Sequence, residues 1–78
     1  MAQIKPTEVL PNGTPVRVGS RFGHVVGAEY RPAHNGGMIC VHTVQLTSQR
    51  KRVCGNQWKT TQIDGPPSEV NYSFINTI

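Results

Sequence analysis

Apolar and polar residues alternate with a period of two through most of this chain, in short runs cut by glycine, proline and asparagine. Such alternation puts one face of each segment on a core and predicts strands rather than helices. Val16-Arg17-Val18 alternates in this way, behind a Pro15 that a strand tolerates at its first position. His24–Tyr30 follows, with Val25, Val26 and Tyr30 on its strand and a Gly27 that predicts a bulge or bend. The intervening Gly-Ser-Arg-Phe-Gly reads as a tight turn whose two glycines, Gly19 and Gly23, take positive φ. Arg31–Gly37 is loop-like and closes in a hairpin turn at Asn35-Gly36-Gly37. Met38–Thr47 is the most apolar segment and is the expected central strand. Met38, Cys40, His42, Val44 and Leu46 share one of its faces; Ile39, Val41 and Thr43 share the other. Apolar residues on both faces predict a strand covered on both sides, as in a small closed barrel or a sheet buried in a dimer.

Further on, Ser48–Arg50 reads as a turn and Arg50–Cys54 as a short strand with a basic start. Gly55-Asn56 is a two-residue loop of the kind that closes hairpins, and Gln57–Ile63 returns from it. Asp64-Gly65-Pro66-Pro67 is the firmest break in the chain. Beyond it Val70, Tyr72 and Phe74 alternate with Glu69, Asn71 and Ser73, which predicts a last strand. Upstream, Pro6 and Pro11 interrupt regular structure over residues 1–12, an irregular arm from which Ile4, Val9 and Leu10 can still pack down. No helix of ordinary length and no internal repeat is visible. The expected fold is all-β: a small SH3-like barrel or a strongly bent antiparallel sheet of five to six short strands. It forms one domain over residues 1–78, with residues 64–67 turning the chain before the last strand.

Composition narrows this picture. The 78 residues suffice for one domain and bury only a small core. Hydrophobic residues make up 36% of the chain, so self-association is an expected source of extra stability. Eight Lys and Arg against four Asp and Glu give a formal charge of +4, which favours acidic partners, nucleic acid first. The same charge also serves solubility alone. Two cysteines, Cys40 and Cys54, make no disulfide framework. The N-terminus carries no apolar run like that of a secretory signal, and no window has the ~20 apolar residues of a membrane span. A cytoplasmic protein with two free thiols and no membrane partner is the expectation.

Gly13-x-x-Val16-x-Val18 followed by Gly23-x-Val25 resembles the opening of SH3-like barrels of the KOW type. Those barrels occur in ribosomal proteins and transcription elongation factors, where their loops bind RNA or protein. The resemblance covers about fifteen residues, and only Gly19–Phe22 stand where that family carries a longer basic loop. The chain is also similar in length to the SH3-like type II dihydrofolate reductases, whose active site uses a Val-Gln-Ile-Tyr segment. The nearest match here, Val44-Gln45-Leu46-Thr47, ends without the tyrosine, so no reductase residues carry over.

Three constellations bear on chemistry. Arg50-Lys51-Arg52 faces Trp58 and Lys59 across the Gly55-Asn56 hairpin, and with Arg31 these are the candidate nucleic-acid contacts. Cations there would meet phosphates, and an exposed Trp58 would stack on an unpaired base. Against this, the only tryptophan of a lean chain is more often a core anchor, and a basic triplet more often protects an edge strand. Cys40-x-His42 with Cys54, and His24 or His34 as a fourth group, has the residue types of a zinc site but not the spacing of a structural one. Two buried thiols and a satisfied histidine are the stronger reading, and no metal or other cofactor is expected. For catalysis the carboxylates are isolated and no phosphate-cradling glycine motif occurs, so no catalytic residues are assigned. The sequence therefore points to a non-enzymatic binding module, with nucleic acid as the first partner. A protein partner or a homo-oligomer is the alternative, with Val70-x-Tyr72-x-Phe74 as the stripe that would complete a neighbour's sheet.

Overall fold

The computed structural model describes residues 2–78. It contains seven strands: β1 (Ala2–Gln3), β2 (Pro15–Val18), β3 (Arg21–Pro32), β4 (Met38–Cys54), β5 (Gln57–Gln62), β6 (Ser68–Val70) and β7 (Ile75–Thr77). A 3₁₀ turn, Tyr72–Phe74, precedes β7. All pairings are antiparallel, in the order β1-β7-β2-β3-β4-β5, and β6 pairs with β4 as well. Among the described residues no helix is long and apolar enough to cross a membrane.

Chain connectivity forces this sheet to bend. β3 holds one edge of β4, while β5 (at Ser48–Cys54) and β6 (at His42–Val44) share the other edge, interrupted by the Asp64–Pro67 excursion. After β6 the chain must reach β2, where β7 pairs. In a flat sheet β6 and β7 would stand four strand spacings apart, about 19 Å at ~4.8 Å each. Only Asn71 and the 3₁₀ turn bridge them, and such a turn advances only about 2 Å per residue. The sheet therefore curls, though it does not close into a barrel. The concave side holds the core of Ile4, Leu10, Val16, Val25, Val44 and Ile75, with Val18, Leu46, Val70 and Tyr72 packed at its margin.

Several expectations need correction. The polar Ser48–Arg50 stretch is not a turn: β4 runs unbroken for 17 residues. The β2–β3 turn is only Gly19-Ser20; Gly19 has φ +63°, with Gly at the first central position as in type II′ hairpins. Gly23 does not have positive φ. It lies within β3, where an added Cβ would stand 2.1 Å from the Gln45 carbonyl oxygen, so its role is close approach of two backbones. The Val70-x-Tyr72-x-Phe74 alternation does not form one strand. The Asn71 side chain accepts from the Ser73 N–H at 3.0 Å and caps the 3₁₀ turn instead, which leaves Phe74 exposed and buries Ile75. The strongly bent antiparallel sheet is as expected, but its strands are uneven: β3 and β4 are very long and β1, β6 and β7 very short. The bulge expected at Gly27 is present, with the register shifting between Val25 and Gly27. Asn35-Gly36-Gly37 turns as expected, with Gly36 at φ +84°.

The irregular arm is pinned across the sheet by its own backbone. Cys40 N–H donates to the Pro6 carbonyl at 2.8 Å, and Tyr30 Oη–H donates to the Thr7 carbonyl at 3.2 Å. Leu10 N–H donates to Nε2 of the fully buried His42 at 2.9 Å. Ile4 and Leu10 are buried as expected, while Val9 is exposed. His42 must be neutral at Nε2 to accept that bond, and burial holds its pKa below the ordinary histidine value, with Glu8 opposing in part. The unfolded chain thus takes up this proton first. Stability is full above pH ~6.5 and is lost as pH falls from there toward the lower folded pKa. Urea midpoints are expected to fall between pH 7.5 and pH 5.5, with the arm's amide exchange at Leu10 rising first. A pH-independent midpoint over that range would contradict the role given to His42.

Candidate functional site

Beyond the core, β4 and β5 continue as a two-stranded hairpin, and the molecule is 45 Å long but only 23 by 18 Å across. Every residue from Arg50 to Thr60 is exposed. The pairs Arg50–Thr60, Lys51–Lys59 and Arg52–Trp58 stand directly opposite one another, and Gly55 at φ +53° turns the tip. Directly opposed residues share a face, so Arg50, Arg52 and Trp58 project to one side and Lys51 and Lys59 to the other.

A β-bulge decides which side. Gly23 pairs with Leu46 and Phe22 with Ser48, which leaves Thr47 as an extra residue in β4. Before it, Val44 and Leu46 point into the core. An uninterrupted alternation would send Ser48, Arg50 and Arg52 the same way; the extra residue reverses the parity. Ser48 and Arg50 then lie on the outer face with Phe22, which itself stands opposite Arg17 of β2. The result is an open groove of about 380 Å³ lined by Arg17, Gly19, Ser20, Phe22, Arg50 and Trp58.

Trp58 does not anchor the core. It is 52% exposed, and the Arg50 guanidinium carbon lies 4.7 Å from its ring centroid, a cation–π stack. Arg52 Nε–H donates to the Gly55 carbonyl at 2.5 Å, which ties that side chain to the turn. Among the described residues neither Arg50 nor Arg52 has a carboxylate partner, and Lys51 directly faces Lys59, a like-charge pair that weakens a sheet. Arg17, Arg21, Arg50, Lys51, Arg52 and Lys59, six of the eight basic residues, belong to the hairpin or to the strands that feed it. The acidic residues Glu29 and Glu69 lie elsewhere, around Arg31.

Arg31 is not brought to this face. It sits near the far end of β3, opposite Ile39, where it donates to Glu29 at 2.6 Å and to Glu69 at 2.7 Å. Two carboxylates already neutralise its charge. Sequence reasoning missed Arg17 and Phe22. Arg17 carries the only signal, as the outward residue between two inward valines; Phe22 was hidden inside a supposed turn.

The other constellations separate. Cys54 is exposed near the hairpin tip, whereas Cys40 and His42 are buried under the arm, with Sγ and Nε2 3.9 Å apart. Burial pushes the Cys40 thiol pKa up, away from a reactive thiolate. Among the described residues no three His, Cys, Asp or Glu side chains group as metal ligands would. No protein-family model, curated protein or solved structure matches this chain.

Proposed function

We propose that this chain is a non-enzymatic, SH3-like binding module that holds single-stranded nucleic acid on the outer face of its hairpin. One observation carries the reading: the sole tryptophan stands in solvent, stacked with Arg50, on the face that also bears Arg17, Arg52 and Phe22. Such an arrangement does little for folding. An indole left half exposed forgoes burial, and unpaired guanidinium groups gain nothing from one another. It suits a ligand that is both anionic and flat, since phosphates meet the cations and a base meets the ring. The SH3-like character is part of the same proposal. It is supported by the order β7-β2-β3-β4-β6 and by the 3₁₀ turn that leads into the last strand.

The test is the affinity of a labelled single-stranded oligonucleotide across a salt series. Three phosphate contacts from Arg17, Arg50 and Arg52 predict a slope of about −2 in log K against log salt. Trp58→Ala is expected to weaken binding by ~1–3 kcal/mol, roughly 5- to 150-fold, with little change in that slope. Absence of binding at about 50 mM salt, where the electrostatic term is large, would end this reading.

A further inference from the structure

We infer that the groove between the Gly19-Ser20 turn and the base of the hairpin is a pocket for a single nucleotide, one base together with its phosphate. This deepens the single-strand reading and rests on it: the hairpin face would follow the strand, and the groove would fix its register by taking one nucleotide whole.

The groove is built differently from the rest of the basic face. Its volume of about 380 Å³ falls at the small end of ligand sites, which run from ~300 Å³ upward. Two aromatic side chains line it, Phe22 from β3 and Trp58 from β5, and two guanidinium groups, Arg17 and Arg50, stand beside them. No carboxylate lines it. Arg50 covers one side of the indole, so a single base fills the stacking surface that remains.

Arg17 adds the second observation. It is half-buried on the sheet's outer face and, among the described residues, has no ion pair and no acceptor for its buried Nε–H. A partly desolvated guanidinium without a counter-charge is unfavourable alone and becomes favourable when an anion binds its outer nitrogens. Gly19 and Ser20 border the same space. The demand is thus for a ring and a negative charge a few ångströms apart in one molecule. A nucleotide meets it, and nucleic acid is the polymer that the whole basic face suits. Lys51 and Lys59, on the opposite face of the hairpin, take no part.

Because Trp58 is the sole tryptophan, its fluorescence reports on this groove directly. Adenosine 5′-monophosphate titrated into the intact protein should quench it saturably. Adenosine and inorganic phosphate, each tested alone, should bind at least tenfold more weakly. Arg17→Gln and Phe22→Leu should each weaken the nucleotide about tenfold, while Lys51→Gln leaves it unchanged; thermal melts confirm that each variant is folded. Equal, unsaturable quenching by adenosine and its monophosphate overturns the pocket, as does indifference to both Arg17→Gln and Phe22→Leu. A phosphotyrosine peptide that binds more tightly than the nucleotide also overturns it and points to a protein ligand. The two readings fail separately. If oligonucleotide binding persists without saturable nucleotide binding, the pocket is wrong and the hairpin face stands. Saturable nucleotide binding by a protein that holds no oligonucleotide supports the pocket and removes the single-strand reading.

Discussion

Arg50→Glu should lower single-strand affinity by tenfold or more while leaving a folded β protein. The Arg50 guanidinium lies over the Trp58 ring and lines the groove with Arg17 and Phe22. A carboxylate in its place removes one phosphate contact and sets a repulsive charge where the strand would lie. The salt slope is therefore expected to flatten from about −2 toward −1. Lys51→Glu makes the same change of charge one residue further on, but on the opposite face of the hairpin. It should weaken binding far less. Thermal melts of both variants establish that the comparison is made on folded protein. Equal losses in the two variants would show that net charge, and not the face set by the bulge at Thr47, governs the site.

The second large effect concerns folding. Gly23→Ala places a methyl group 2.1 Å from the Gln45 carbonyl oxygen and 2.9 Å from the Leu46 Cα. Both neighbours are backbone, so no side chain can rotate away, and the β3–β4 pairing must open. Overpacking of this kind costs ~1–3 kcal/mol and at times more. The upper end is expected here because the clash falls beside the bulge, where Gly23 also pairs with Val16 of the core. A domain of this size holds only about 4–12 kcal/mol of stability. The melting temperature is expected to drop by ~12 °C or more, at about 4–8 °C per kcal/mol. Gly36→Ala offers a contrast: nothing lies within 4 Å of its added Cβ, and only its positive φ is strained. A Gly23→Ala protein that melts like wild type would refute the close approach.

What could be read from the residues was local. The Gly55-Asn56 tip, the Asn35-Gly36-Gly37 turn, the strand start at Pro15 and the inward set Cys40, His42, Val44 and Leu46 all follow from the chemistry of a few adjacent residues. What was not legible depends on partners distant in sequence. Ser48-Gln49-Arg50 looks like a turn by polarity, yet it stays extended because β3 and β5 pair with it on both edges. Trp58 looks like a core anchor by type. Its exposure follows from the length of β4, which carries the hairpin past the end of the core. Glu69–Phe74 alternates like a strand, but Asn71 diverts the backbone into a 3₁₀ turn so that Ile75 can reach the core. Arg31 matches the other candidate cations in charge, and only its position beside Glu29 and Glu69 sets it apart. His42 resembled a metal ligand by its neighbour Cys40, whereas its ring accepts a backbone bond from an arm more than thirty residues away.

The most direct measurement is a backbone amide shift map of the ¹⁵N-labelled protein titrated with an unlabelled single-stranded oligonucleotide at low salt. The account predicts shifts concentrated in Arg17–Phe22 and in Ser48–Thr60, with the Trp58 indole N–H among the largest. Amides around Arg31 and the Ala33–Gly37 turn should stay unmoved. An unchanged spectrum, or shifts centred on the Arg31 end of the sheet, would contradict it.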